Sequence, residues 1–338
     1  MAKRNKYFNH PNTQEKIVIK NNNRVIKISK SGISSKIKSE SEFYFKIQYY
    51  PPWLQSCFPL YFGYSISKDG RNYIELEFLE RYKNLADILI NNKKIVVHSK
   101  KIQQKIISLI DAFASIQNNS LSTIDNVFYD LYIARVKERI KLLNQNFQFE
   151  KLYSQDVINI NGQWYPNLKY QIDSLINNQQ VIRYLIGEQK ISFFHGDFYF
   201  ENILLSYSPF DLKLVDPKGL FEGLISYDWG KLLCSVIGKY DLIQRYLFSI
   251  KKLGYNTYSF KIGENNIYDK FCCQLHNKIL NKLTNREYLC AYFSFWIHLI
   301  SLIPHHLKNR KCQALLFYLL SVQIGDNLIK RLYTQKYL

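Results

Sequence analysis

Phe193 to Gly219 reads FFHGDFYFENILLSYSPFDLKLVDPKG, and it interrupts a run of helical patterns on either side. It contains H-G-D-x-x-x-x-N, as His195, Gly196, Asp197 and Asn202, and Asp216 follows 14 residues after Asn202. Ile203–Leu205 and Leu212–Val215 are short apolar runs separated by the turn-like SYSPFD, which predicts a β-hairpin. The hairpin brings Asn202, at the entry of one strand, near Asp216, at the exit of the other. Asp197 falls on the tight loop before them, where Gly196 lets the backbone turn without a Cβ clash. A chain of this composition contains H-G-D-x4-N by chance in about one sequence per thousand. Two oxygen ligands and one free carboxylate at the end of a hairpin are what phosphoryl transfer from a nucleotide requires. Asn202 and Asp216 would hold Mg²⁺, which prefers hard oxygens and keeps some water. Asp197 would orient an acceptor hydroxyl and take its proton. The competing reading is a capped loop whose Asp and Asn bond only to backbone.

Working outward, the first 80 residues lean toward strands. Glu15–Ile19 and Arg24–Ile28 read as a hairpin turning at Asn21, Asn22 and Asn23. Ser39–Tyr49 reads as a helix, with Phe43 and Ile47 on its apolar side, and Phe58–Ser65 and Tyr73–Phe78 read as strands. After the polar run in Leu79–Asn84 the period changes. Leu85–Ile90, Lys101–Ile116, Tyr129–Asn144, Tyr170–Gly187, Gly230–Gly238, Asp241–Leu253, Arg286–Leu302 and Lys311–Leu332 all carry helical spacing.

The H-G-D-x4-N and D-P-K-G segments resemble those of the aminoglycoside phosphotransferase and choline kinase group, which shares the protein kinase-like fold; protein kinases carry H-R-D and D-F-G there. YDWGKLLCSVIGKYD, from Tyr227 to Asp241, is similar to the group's following segment. A narrower resemblance is to phosphotransferase-like proteins of capsule and lipopolysaccharide synthesis, which carry HGD…N, DPRG and YDLAKL. The likeness is strong over Phe193–Asp241 and weaker over most of the chain. It implies an α+β, bilobal protein kinase-like fold, with a β-rich N-lobe over residues 1–80 and a helical C-lobe over residues 81–338. It implies ATP and Mg²⁺ as cofactors. Lys27, in RVIK, then takes the place of the phosphate-binding lysine. Its helix partner would be Glu42, with Glu40 as second choice. Backbone groups of Glu77, Phe78 and Leu79, in YIELEFLE, would hold the adenine. Asp228 would brace the catalytic loop, with His195 and Gly196 supporting the site; an N-cap would look the same at Asp228. There are departures. No Gly-rich loop precedes Lys27, only Phe8–Thr13 with Asn and Pro, and DPKG lacks the usual aromatic after the metal-binding Asp.

The acceptor is less legible. Only eleven residues separate Asp216 from Asp228, with no activation segment ending in APE, which favours a small-molecule or glycan hydroxyl over a polypeptide. Ile250–Leu338 has 13 Lys or Arg against four Asp or Glu, a poor match for a polycationic acceptor. An anionic or neutral sugar of surface-polysaccharide synthesis fits better, and that step is analogy.

The chain has 338 residues, 47% hydrophobic and 16% aromatic, enough for a substantial core and unlike a disordered tail. Its 13 Gly and 8 Pro exclude collagen-like and low-complexity classes. The six Cys form no CxxC pair and, with no apolar leader in Met1–Asn12, the expected location is cytoplasmic with reduced thiols. The apolar run Leu289–Pro304 is expected to be a buried helix rather than an integral membrane segment. His305 and His306 are expected at a helix start. The net charge of +19 has two readings. Only 11 of the 46 basic residues are Arg in a chain rich in Lys, Asn, Ile, Tyr and Phe, as an A/T-rich genome would produce. The other reading is an anionic partner. Nucleic acid is not the expected one; peripheral contact with an anionic membrane stays open. Two rivals to catalysis stand: a kinase-like scaffold without activity, and a basic protein binding RNA or a membrane surface.

Overall fold

The computed structural model describes residues 7–8, 15–20, 23–91, 98–116, 122–187, 189–207 and 210–334. The chain divides into two compact units: residues 1–88 with 195–221, and residues 89–194 with 222–338. The segment carrying H-G-D and D-P-K-G therefore groups with the strand-rich start of the chain, across the boundary expected at residue 80.

The first unit is built on an antiparallel sheet of five strands, β1 (Tyr7–Phe8), β2 (Glu15–Lys20), β3 (Arg24–Ser29), β4 (Tyr61–Ile66) and β5 (Asn72–Glu77), in the order β1-β2-β3-β5-β4. The β2–β3 hairpin forms as expected, with Ile17 opposite Lys27 and Lys20 opposite Arg24. Asn23 at its turn has φ 57°, a left-handed conformation that Asn tolerates; Asn21 and Asn22 lie outside the described residues. β4 begins at Tyr61 rather than Phe58. Phe58 instead buries its ring against Phe43, with centroids 5.3 Å apart, and Pro59 has no N–H to give a ladder.

One helix, α1 (Ser35–Ile47), covers this sheet, and it starts earlier than Ser39. The Ser34 side chain caps it by accepting from the Ile37 N–H. Asn72 of β5 holds Ser34 from both sides, accepting from its N–H at 2.8 Å and donating to its carbonyl at 2.8 Å. The buried face of α1 is Ile37, Glu40, Ser41, Phe43, Tyr44 and Ile47, a run at three- and four-residue spacing. The expected second hairpin is present as Ile203–Tyr207 with Phe210–Leu214, and Ile203 pairs with Leu214. Lys83–Asn84 adds a third strand to it.

The second unit is mainly helical. Helix Ile225–Val236 is buried from Ser226 onward, and it packs closely on Asn285–Leu307 at Gly230, where an added Cβ would sit 2.5 Å from the Ser294 Cβ. Asn285–Leu307 and Lys311–Thr334 are both long and apolar enough to cross a membrane, yet 83% and 72% of their most apolar windows are buried inside the protein, as core helices are. His305 and His306 lie in the last turn of the former, not at a helix start, because the helix runs on through Pro304.

Several expected helices are interrupted. Tyr170–Gly187 splits into Leu168–Leu175 and Gln179–Ile186, because Asn178 caps a new helix by accepting from Gln180 and Val181. Tyr129–Ala134 is a π-helical turn before Arg135–Asn144. Asp241–Leu253 is helical only over Tyr240–Gln244; Tyr246 then turns left-handed (φ 58°) and Phe248–Lys252 becomes a strand. That strand joins Thr257–Ile262, Val157–Ile160 and Gln163–Pro166 in a four-stranded sheet that the sequence periods did not disclose, and Asn266–Lys282 is a further helix.

Candidate active site

The site grows from one buried lysine. Lys27 points from the middle of β3 and is only 5% exposed. A buried ammonium needs compensation, and Lys27 has two carboxylates, Glu40 Oε2 at 2.7 Å and Asp216 Oδ1 at 2.7 Å. Glu40, not Glu42, is thus the helix partner. On α1, Glu40 shares the buried face with Phe43, Tyr44 and Ile47, whereas Glu42 lies about 200° further round and is exposed. Burial pushes the Glu40 carboxyl up from 4.5 to about 7, against the pull of Lys27. Asp216 goes the other way. Desolvation works to raise it, but Lys27, with Lys36 and His195 beyond, outweighs that and holds it at about 2. Its side chain keeps 42% of its surface exposed, so a charged oxygen remains open to a ligand.

Asp216 itself has φ 56°, an unusual choice for a residue that precedes proline. The turn is anchored on both sides. The Val215 N–H donates to the Asn202 carbonyl at 3.1 Å, and the Lys218 N–H donates to the His195 carbonyl at 3.0 Å. Gly219, at φ 84°, lies so close to α1 that a Cβ would sit 2.7 Å from that of Ser39, next to Glu40. The D-P-K-G turn therefore ties the Asp216 carboxylate and the Glu40 helix into one piece.

The H-G-D loop is wound just as tightly. Gly196 has φ 79°, a backbone that glycine takes without penalty. The Asp197 N–H donates to His195 Nδ1 at 3.2 Å, and the buried His195 ring stacks on Phe58 with centroids 6.1 Å apart. Asn202 Nδ2 donates to both the Asp197 carbonyl, at 2.8 Å, and Asp197 Oδ2, at 3.2 Å. Both partners are acceptors, so the amide must present its nitrogen to them and its oxygen away. The Asn202 oxygen and the second oxygen of Asp216 have no hydrogen-bond partner among the described residues, and the Asn202–Val215 bond holds their backbones together. Two hard oxygens with room for phosphate and water suit Mg²⁺. Among the described residues no cluster of three His, Cys, Asp or Glu forms an all-protein metal cage.

The Glu77 and Phe78 N–H groups are already engaged, by the Leu60 carbonyl at 2.8 Å and the Asn23 carbonyl at 2.7 Å. The Leu79 N–H has no acceptor among the described residues, which makes it the donor of this stretch that can meet a ligand. Asp228 lies in the second unit, fully buried in the first turn of Ile225–Val236; the N-cap is Leu224, so the N-cap reading fails. Residues 9–13 of the Asn- and Pro-containing loop lie outside the described residues. A hollow of about 550 Å³ in the second unit, lined by Ser192, Ser226, Trp229 and Arg286 among others, contains none of these side chains. Its one carboxylate, Glu287, is engaged in capping Thr284.

No family model and no curated protein matches the sequence. Solved structures do. A thermostable mutant of the aminoglycoside phosphotransferase APH(4)-Ia aligns over 97% of this chain and 94% of its own, with TM-score 0.55 at 6% identity. Another mutant of that protein, matching at TM-score 0.54, was crystallised with AMP-PNP and hygromycin B. The ethanolamine kinase of Plasmodium vivax aligns over 94% of this chain and 81% of its own, with TM-score 0.51 at 12% identity. Aminoglycoside 2'-phosphotransferase-IIIa, as its GDP complex, aligns over 97% and 93%, with TM-score 0.50 at 11% identity. The chain thus has the α+β protein kinase-like fold in the form found in aminoglycoside phosphotransferases and ethanolamine kinase.

Proposed function

We propose that the chain is a phosphotransferase that moves the terminal phosphoryl group of ATP, in the presence of Mg²⁺, to a hydroxyl of a small molecule or glycan. The observation that carries this reading is the Lys27 ammonium, 2.7 Å from both Glu40 and Asp216, beside a loop in which Asn202 grips Asp197. Lys27 lies on the sheet, held by Glu40, to meet the nucleotide's inner phosphates. The Leu79 N–H offers one hydrogen bond to the base. Asp197 takes the proton of the acceptor hydroxyl as its oxygen bonds to phosphorus and ADP leaves, and passes the proton to water. Asn202 and Asp216 would hold Mg²⁺, which when bound supplies positive charge for the phosphate oxygens.

The preference for a sugar or related alcohol rests on the basic balance of Ile250–Leu338, which disfavours a polycationic acceptor. A role in surface-polysaccharide synthesis rests on the sequence resemblance. The test is ATP turnover against a panel of sugars and alcohols, comparing wild type with Asp197→Asn. Turnover should fall by about 10²-fold or more in the variant while ATP binding persists. Equal turnover in both, or no ATP binding by wild type, refutes the assignment.

A further inference from the structure

The second unit carries a face that this chemistry does not use. Its hairpin of Phe248–Lys252 and Thr257–Ile262 ends in a tip where Leu253 is 65% and Tyr255 61% exposed. Beside the tip is a hollow of about 430 Å³ whose lining includes Phe147, Lys151, Lys252, Tyr255 and Lys311, and no acidic residue. Phe147, at the start of helix Phe147–Tyr153, is 76% exposed. The Tyr255 ring is held in place: the Lys151 ammonium lies 5.3 Å from its centroid, and the Gln155 amide donates to its hydroxyl at 3.3 Å. Lys151, Lys252 and Lys311 form no ion pair with any described residue. Glu150 is exposed on the same short helix but does not line the hollow.

Large apolar side chains standing in water gain by leaving it, and unpaired lysines around them call for anions. We propose that this face docks on an anionic lipid bilayer. Leu253, Tyr255 and Phe147 enter the interfacial layer, where aromatic residues with one polar end are favoured, and Lys151, Lys252 and Lys311 meet headgroup phosphates. An RNA strand would also use the lysines and stack on the rings, but it gives an aliphatic Leu253 at the tip nothing to do. The membrane uses all six side chains. None of them belongs to the phosphotransfer site, so docking and catalysis stand or fall separately.

The test is co-sedimentation of the full chain with vesicles of pure phosphatidylcholine and of phosphatidylcholine with 30% (about one lipid in three) phosphatidylserine. Wild type should bind the anionic vesicles and release as salt rises. The triple variant Lys151→Glu, Lys252→Glu, Lys311→Glu should bind about a hundredfold more weakly or worse, and Leu253→Asp with Tyr255→Asp should also lose binding. A control with the same change in net charge, Lys30→Glu, Lys38→Glu, Lys68→Glu, uses exposed lysines of the first unit and should bind like wild type. Thermal melting confirms that each variant is folded. Equal loss in the control, no binding of wild type to anionic vesicles, or binding of poly(U) in place of vesicles would each overturn the proposal.

Discussion

Replacing Glu40 by Gln should remove a loss of stability that sets in as pH rises toward neutrality. Glu40 is 1% exposed, and its carboxyl is raised from 4.5 to about 7, mainly by burial and against the attraction of Lys27. A carboxyl whose pKa is higher in the folded state binds its proton more tightly there. Its contribution to stability is therefore complete below about pH 4.5 and lost as pH rises through about 7. At ~1.4 kcal/mol per pKa unit the loss is about 3 kcal/mol. Asp216 has the opposite sign. Its contribution is present above 3.8 and lost as pH falls through about 2, and its 42% exposure shrinks it. The Glu40 and Asp216 windows do not overlap; His276 and His306, whose protonation burial disfavours, titrate in the same range but are common to all variants, so the difference between variants isolates Glu40. Urea unfolding of wild type, Glu40→Gln and Glu42→Gln across that range gives the readout. The difference between wild type and Glu40→Gln should grow by about 3 kcal/mol toward alkaline pH, while Glu42→Gln tracks wild type. Parallel curves for wild type and Glu40→Gln would refute the buried, shared-lysine arrangement. A Glu42→Gln curve that behaves as described for Glu40→Gln would return the partnership to Glu42.

Three further outcomes follow from the same geometry. Gly219→Ala places a Cβ 2.7 Å from that of Ser39 on a left-handed backbone, and should cost about 1–3 kcal/mol in urea unfolding; an unchanged midpoint would contradict the close approach of the D-P-K-G turn to α1. Asn202→Ala removes one of the two proposed metal oxygens, and should raise the Mg²⁺ concentration needed for half-maximal ATP turnover, with little change in metal-free nucleotide binding measured by calorimetry. Gly230→Ala drives a methyl group into Ser294 in the second unit and should destabilise by about 1–3 kcal/mol; Gly230→Ala combined with Ser294→Gly should recover part of that loss.

The parts of the site read most directly from the sequence are those whose geometry is local. His195, Gly196, Asp197 and Asn202 lie within one loop, and the turn between two apolar runs announces the hairpin that carries Asn202 toward Asp216. Lys27 needed the resemblance, because a lone Lys among 35 has no local mark. The signal that separates Glu40 from Glu42 is in the sequence: Phe43 and Ile47 define the inward side of the helix, and Glu40 precedes them at helical spacing. The true helix start was harder to see. Its cap, Ser34, is held by Asn72, and 38 residues separate the two. The four-stranded sheet escaped for a similar reason. Phe248–Lys252 follows directly on a helix with compatible spacing, and Thr257–Ile262 finds a parallel partner in Val157–Ile160, far away along the chain.

The Lys27–Asp216 ion pair spans 189 positions of the chain. During synthesis, β3 and α1 leave the ribosome long before the turn that completes their charge balance exists. Until then Asp216 is missing from the charge balance of Lys27. The growing cost of closing so long a loop rises only with the logarithm of its length, but the delay is set by translation at about 5–20 residues per second. For roughly ten seconds or more the nascent chain carries Lys27 and Glu40 without the Asp216 carboxylate that shares the ammonium in the folded protein.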